Sequence, residues 1–118
     1  MESTRQAKVN RLLQRELATY FQRNAQSLIG VQFITVSKVL VTVDLSLAKV
    51  YVTFLNAQNP LELVAKLNEL KTEIKRQMAQ KLRNDLRKLP DLVFYYDDTL
   101  DYVDKIETIL GDINSKKH

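Results

Sequence analysis

Two prolines, Pro60 and Pro90, bound a long pattern of apolar residues at helical spacing. Asn59 is a favourable N-cap, and proline suits the first position of a helix. The apolar positions that follow are Leu63, Val64, Leu67, Leu70, Ile74, Met78, Leu82, Leu86 and Leu89. A straight helix ending at Pro90 would extend about 45 Å, which is long for a small domain. We therefore predict a bend or break between Lys71 and Ala79.

The preceding part of the chain predicts a helix followed by a β-hairpin. Ser3 and Gln6 have the spacing of a capping box, and apolar residues then recur at three and four to about Asn24. After Gly30, residues 33–43 and 48–55 are rich in β-branched and aromatic residues and are joined across Asp44-Leu45-Ser46. We predict two neighbouring strands there.

The last part of the chain predicts a short strand and a final helix. Residues 92–96 form the third predicted strand, and Asp98 or Thr99 is the expected N-cap of the helix. Its inward-facing residues are Leu100, Val103, Ile106 and Leu110. The order helix, strand, strand, broken helix, strand, helix predicts an α/β (α+β) fold with helices packed on a small sheet.

Length and composition indicate one cytoplasmic domain. The 118 residues suffice for a single core, which we assign to residues 1–113, with a flexible basic tail at 114–118. The chain contains no cysteine and opens without the apolar run of a signal peptide. No stretch approaches the roughly 18 uncharged residues that a membrane span needs. We expect a soluble protein without a membrane partner.

Charge is strongly segregated along the chain. Residues 75–90 carry six basic side chains and one acidic one, a net charge of +5, whereas residues 91–113 carry a net charge of −6. On a helical wheel Arg76, Arg83 and Arg87 form one stripe, and Lys8, Arg11 and Arg15 form a second, with Arg5 at its margin. Two basic ridges are typical of a phosphate-binding surface. The alternative is the solvated outer face of ordinary amphipathic helices.

Several kinds of site are excluded or weakly supported. With only Gly30 and Gly111, the chain has no P-loop and no GxxG clamp. The single histidine is His118 and thiols are lacking, so we predict no catalytic residue, cofactor or small-molecule substrate. A Mg²⁺ site at Asp97, Asp98, Asp101 and Asp104 is a weaker hypothesis than helix capping. Base stacking has little support, because the aromatic residues Phe33, Tyr51, Phe54, Phe94, Tyr95 and Tyr96 fall in predicted strands, where core packing is commoner.

Four sequence motifs resemble those of the ribosome-binding factor A family. They are the opening Thr4-Arg5-Gln6, Lys8-Val9, Arg11-Leu12-Leu13 and Glu16-Leu17; the segment from Thr42 to Val52 with its Asp-Leu-Ser turn and Ala-Lys-Val-Tyr strand; Leu86-Arg87 with Pro90-Asp91-Leu92 and Phe94; and Asp97-Asp98-Thr99-Leu100. The resemblance covers nearly the whole chain. It implies a type II KH-like fold without GxxG, in which two helices meet at a kink usually marked Ala-x-Gly.

The chain departs from that family pattern at two positions. Counting back from Pro90, Thr72-Glu73-Ile74 stands where Ala-x-Gly is expected, and Val103 stands where many members have glycine. The resemblance still implies a non-enzymatic factor that binds the free small (30S) ribosomal subunit and helps mature 16S rRNA, especially in the cold. We expect a monomer whose partners are 16S rRNA, the free small subunit and ribosomal proteins.

We predict an RNA-binding surface built from eleven basic residues. Arg5, Lys8, Arg11, Lys49 and Arg87 stand where the family tends to be basic, whereas the remainder come from the charge pattern and the helical wheels: Arg15, Lys75, Arg76, Lys81, Arg83 and Lys88. The alternatives are a non-ribosomal RNA or DNA binder, a Mg²⁺-dependent nuclease that uses the aspartates of 97–104, and a protein-interaction module whose acidic face contacts a basic ribosomal protein.

Overall fold

The computed structural model describes residues 2–99, which form three helices and three strands. In chain order these are α1 (Thr4–Ile29), β1 (Ile34–Val41), β2 (Leu47–Phe54), α2 (Pro60–Glu69), α3 (Lys71–Leu82) and β3 (Asp91–Tyr96). The predicted α+β class and the element order through the third strand are confirmed, and the order is compatible with a KH-like topology. The predicted final helix and the tail at 114–118 lie outside the described residues.

Helix α1 begins where the capping box predicted but ends later. The Gln6 amide N–H donates to Ser3 Oγ at 3.1 Å, and the Ser3 N–H donates to Gln6 Oε1 at 2.8 Å. The predicted end at Asn24 was wrong, because the buried residues Ala25 and Ile29 continue the apolar face for another turn. Gly30 then terminates the helix in the left-handed conformation, with φ of 72°.

The predicted hairpin is confirmed, with β1 and β2 antiparallel and a bulge between Val36 and Lys38. Its turn is built around the Asp44 carboxylate, which accepts hydrogen bonds from Ser46 Oγ and Thr42 Oγ1, each at 2.8 Å. These bonds, led by the one from Ser46, lower the pKa of Asp44. The turn carries Leu45 at a φ of 59° and returns the chain directly into β2.

Strand β3 pairs with β2 in parallel, which places β2 at the centre of the sheet. A parallel partner needs a crossover, and α2 and α3 supply it. Alternate strand residues such as Ala48, Val50 and Phe94 are buried beneath the helices, while Lys49 and Tyr95 point to the opposite side. In the described part of the chain, that opposite side is an open face.

The break in the long helical stretch lies at Leu70, just before the predicted range of Lys71 to Ala79. Leu70 has φ of −97° and ψ of 4°, and its N–H donates to the carbonyls of Lys66 and Leu67. Its own carbonyl accepts from Ile74 N–H at 2.9 Å, so α3 restarts there at once. The range predicted for the break was therefore wrong, and Thr72-Glu73-Ile74 is helical.

Helix α3 ends at Leu82, eight residues before Pro90, contrary to prediction. The N–H groups of Asp85 and Leu86 both donate to the Leu82 carbonyl at 2.9 Å, which closes a final turn. The chain then runs irregularly to Asp91, whose N–H donates to Ser46 O as β3 begins. Leu89 is buried although it is not in a helix. Its place in the apolar pattern therefore indicated burial in the core and not a continuing helix.

Amide side chains from the helices occupy both edges of the sheet. Asn10 Oδ1 accepts the Val41 N–H at 2.8 Å, and Gln6 Nε2 donates to the Val41 carbonyl at 3.1 Å. At the other edge, Asn68 makes the same pair of bonds with the N–H and carbonyl of Phe94, at 2.8 and 2.9 Å. These bonds satisfy edge groups that would otherwise be open to pairing with another strand. They also fix α1 and α2 in register with the sheet.

Candidate nucleic-acid interface

A groove separates the start of α1 from the turn that follows α3, and we call it the basic groove. Its walls are Arg5 and Lys8 from α1, and Asp85 and Arg87 from the turn; its floor is formed by Val9, Leu12 and Leu86. The three cations are exposed at the rim around an apolar floor. A concave surface with an excess of positive charge attracts polyanions.

The position of α1 follows from which of its side chains are buried. Gln6 lies between Arg5 and Lys8 in sequence and is turned inward to bond with Val41. Val9 and Leu13 are buried on the side of α1 that faces the sheet, and Arg5 and Lys8 are exposed next to that side, at the start of the helix. The structure thus brings residues of the first predicted ridge together with Arg87 of the second.

Further along α1, Arg15 of the first ridge and Lys81 of α3 share one acid, Glu16. Lys81 Nζ lies 2.9 Å from Glu16 Oε2, and Arg15 Nε lies 3.5 Å from Glu16 Oε1. The hydrogen bond from Lys81 is the main cause that lowers the pKa of Glu16, so this carboxylate stays ionised near neutral pH. Residues 5 and 16 on one helix are about 16 Å apart, and exposed Arg11 lies between them. Cations therefore continue along α1 beyond the basic groove.

Replacing Glu16 by glutamine is expected to tighten binding to a short RNA hairpin by about twofold to fivefold. The change removes a negative charge that partly neutralises Lys81 and Arg15, and ion pairs at the protein surface contribute about 0.2–1 kcal/mol. Fluorescence anisotropy over a salt series measures the effect. Glu62→Gln, on the exposed side of α2, is the matched control, and equal affinities for both variants would contradict the prediction.

The predicted stripe of Arg76, Arg83 and Arg87 was wrong in its geometry. Helix α3 ends at Leu82, so Arg83 is the C-cap and Arg87 lies beyond the helix. Arg76 is held by Glu73, with Nη2 to Oε1 at 2.5 Å and Nε to Oε2 at 3.0 Å. The bond from Arg76 lowers the pKa of Glu73 to about 2. The guanidinium of Arg76 is therefore already engaged by a carboxylate.

The predicted separation of the basic and acidic blocks is also incomplete. Lys75 Nζ lies 2.6 Å from Asp91 Oδ1. This ion pair joins a cation of the basic block, residues 75–90, to the first acid of the acidic block, residues 91–113. This bond is the main cause that lowers the pKa of Asp91. Lys88 is exposed two residues before Pro90 and also lies within electrostatic reach of Asp91. Lys75 and Lys88 thus face a local acid rather than an open basic surface.

Lys49 does not join the basic groove. It lies between buried Ala48 and buried Val50 on β2, so it points to the open face of the sheet, away from the helices. The same face carries Lys38, which is not among the eleven predicted residues. Lys38 pairs with Tyr51, which identifies its face of the sheet. The sequence hides this, because the bulge between Val36 and Lys38 shifts the alternation of inward and outward side chains along β1.

The aromatic residues divide between the core and the surface. Phe94 is buried and packs edge to face on Phe21 at 5.9 Å, and Phe54 stacks with Tyr96. Phe33 and Tyr95, however, are 55% and 41% exposed. The expectation that strand aromatics pack in the core therefore fails for Phe33 and Tyr95, and also for Tyr51, whose ring stacks on that of Tyr95 outside the core.

The structure offers no support for the nuclease alternative in the part of the chain that it describes. Residues 2–99 contain no group of three potential metal ligands, and Asp101 and Asp104 lie outside them. Asp97 accepts hydrogen bonds from Ser37 Oγ at 2.5 Å and from Thr99 N–H at 3.0 Å, and the bond from Ser37 is the main cause that lowers its pKa. Among the same residues, no helix has the length and apolar content needed to cross a bilayer.

Comparisons with known proteins converge on one family. The model of the family described as Ribosome-binding factor A matches residues 5–110. A Christiangramia forsetii protein named Ribosome-binding factor A is 46% identical over 108 residues, spanning 90% of this chain and 82% of the relative.

Solved structures with the same family name share this fold. The crystal structure of ribosome-binding factor A from Thermus thermophilus aligns with a TM-score of 0.62 and 24% identity, covering 77% of this chain and 94% of its own. A homology model of the Thermus thermophilus factor, fitted into a cryo-EM map of its 30S complex, aligns with a TM-score of 0.56 and 22% identity, covering 73% and 92%.

Proposed function

Since the chain belongs to the ribosome-binding factor A family, we propose that it binds the free small ribosomal subunit by docking its basic groove on 16S rRNA. The observation that carries this proposal is the convergence of Arg5, Lys8 and Arg87 around one groove. The Thermus thermophilus factor fitted into a 30S complex supports the choice of partner.

Recognition at the groove would act on the rRNA backbone. Arginine and lysine side chains at a rim neutralise phosphates and release counterions, which gives affinity with little sequence information. The planar guanidinium groups of Arg5 and Arg87 suit bidentate contacts with phosphate. The apolar floor of Val9, Leu12 and Leu86 contains no donor for base edges, so shape rather than sequence would select the rRNA segment.

The proposed role in subunit maturation follows from preferential binding. A factor that binds one rRNA conformation more tightly than another shifts the population towards the first by its difference in affinity. We propose that the protein stabilises an immature arrangement of 16S rRNA, acts as a monomer in the cytoplasm, and assists rRNA processing without catalysing it. Its contribution would be greatest in the cold, where misfolded rRNA rearranges slowly.

Sucrose-gradient sedimentation of a cell lysate tests the proposal directly. We expect the protein to migrate with free small subunits at low salt and to shift to the top of the gradient at high salt, because phosphate contacts weaken with ionic strength. Migration with total RNA but not with subunits would favour the non-ribosomal alternative. Recovery only at the top under low salt would refute ribosome binding.

A further inference from the structure

Three side chains form a column across the open face of the sheet. Lys38 Nζ lies 4.6 Å from the centroid of the Tyr51 ring, and the Tyr51 and Tyr95 rings stack with centroids 5.4 Å apart and an interplanar angle of 25°. The pairing register places Lys38 opposite Tyr51 and Tyr51 opposite Tyr95. The column therefore crosses the strands from β1 to β3.

The outer end of this column is open in the described part of the chain. β3 is an edge strand, so Tyr95 is the last member of the column, and its side chain is exposed. One face of the Tyr95 ring lies against Tyr51, and no other aromatic ring in residues 2–99 stacks on it. A further flat group could extend the stack at this position, since aromatic faces accept parallel rings at such distances.

The charges on the open face suit a polyanion. Lys38 and Lys49 are exposed there, and neither forms an ion pair within residues 2–99. Two acids flank the column: Asp97 is bonded to Ser37 and Thr99 and lies within electrostatic reach of Lys38, and Asp91 is paired with Lys75. Lys49 lies two residues from Tyr51 on one strand, about 7 Å along it, so a cation accompanies the rings.

We propose that the open sheet face is a second RNA site, at which an unpaired base stacks on Tyr95 while Lys38 and Lys49 attract the adjoining phosphates. Single-stranded RNA fits this face because its unpaired bases can stack on an aromatic ring while its neighbouring phosphates contact basic side chains. The inference rests on the proposed function, because the ligand is again rRNA, but it uses the face opposite the helices. The protein would then hold folded rRNA at the basic groove and a single-stranded segment at the sheet.

Replacement of Tyr95 tests the site. With a short single-stranded RNA that carries one fluorescent base analogue, we expect Tyr95→Ala to weaken binding about tenfold, whereas Tyr95→Phe retains most of the affinity because it keeps the ring. Binding to a hairpin of the same composition should change little in either variant. Lys49→Glu, which leaves the ring in place, should weaken single-strand binding several-fold and make its salt dependence shallower.

Several results would overturn the inference. They are unchanged single-strand affinity in Tyr95→Ala, equal losses in Tyr95→Ala and Tyr95→Phe, or failure of the full chain to bind the single strand. Weaker subunit binding with unchanged single-strand binding in Tyr95→Ala would also overturn it and would indicate a ribosomal protein at this face. In each case sedimentation of the unmodified protein with free subunits reports separately on the proposed function.

Discussion

Reversing two charges at the basic groove, Lys8→Glu together with Arg87→Glu, is expected to weaken binding to free small subunits by about 100-fold. Each cation would lose a charge-assisted bond to phosphate, and at the lower end of the usual range, about 1.5 kcal/mol, each such bond corresponds to about tenfold in affinity. The slope of log affinity against log salt should fall by about two, because two phosphate contacts are lost. Subunit binding measured at several salt concentrations gives both quantities.

The matched control reverses two charges elsewhere. Arg23 and Lys66 are exposed on α1 and α2 and do not line the basic groove, so Arg23→Glu with Lys66→Glu changes the net charge equally. We expect this control to lose a few-fold in affinity through long-range electrostatics alone. If both double variants lose affinity equally while remaining folded, then net charge, and not the groove, determines binding.

Phe21→Ala is expected to destabilise the domain by about 3–5 kcal/mol, the cost usually found when a buried aromatic ring is truncated. The Phe21 ring is fully buried between α1 and the sheet, and it contacts Tyr20 at 5.6 Å and Phe94 at 5.9 Å edge to face. A loss of this size is a large share of the stability of a small domain, about 5–15 kcal/mol. Urea denaturation followed by circular dichroism measures the change.

Phe21→Leu is the control for that prediction, because it keeps most of the apolar volume and leaves a smaller cavity. We expect a loss of about 1–1.5 kcal/mol for this variant. Equal destabilisation by leucine and alanine would show that the edge-to-face contact with Phe94 matters more than the filled volume. A change below about 1 kcal/mol in Phe21→Ala would show that the helix repacks on the sheet.

Element starts and turns that depend on local chemistry were predictable from the sequence. Ser3 and Gln6 cap α1 through reciprocal bonds, Pro60 opens α2, and Asp44 organises the hairpin turn. Each of these signals depends on interactions between residues that are close together in the sequence. The two strands of the hairpin and the strand after Pro90 followed from their β-branched and aromatic composition.

Element ends were harder to predict because they depend on distant contacts. Leu86 and Leu89 continue the apolar spacing of α3, yet the chain leaves the helix at Leu82 so that Asp91 can pair beside Ser46. The spacing of apolar residues indicates only that those residues will be buried. An irregular segment can bury Leu89 as completely as a helix can. The break at Leu70 similarly lacks any glycine or proline to mark it.

Sequence alone was enough to identify the basic residues, the family motifs and the order of the secondary structure through the third strand. Which cations are available depends on the three-dimensional fold, because an ion pair requires closeness in space. Lys75 and Arg76 are engaged by Asp91 and Glu73, whereas Arg5, Lys8 and Arg87 line one groove. Folding also placed Lys49 on the opposite face, since alternate residues of a strand point to opposite sides of the sheet.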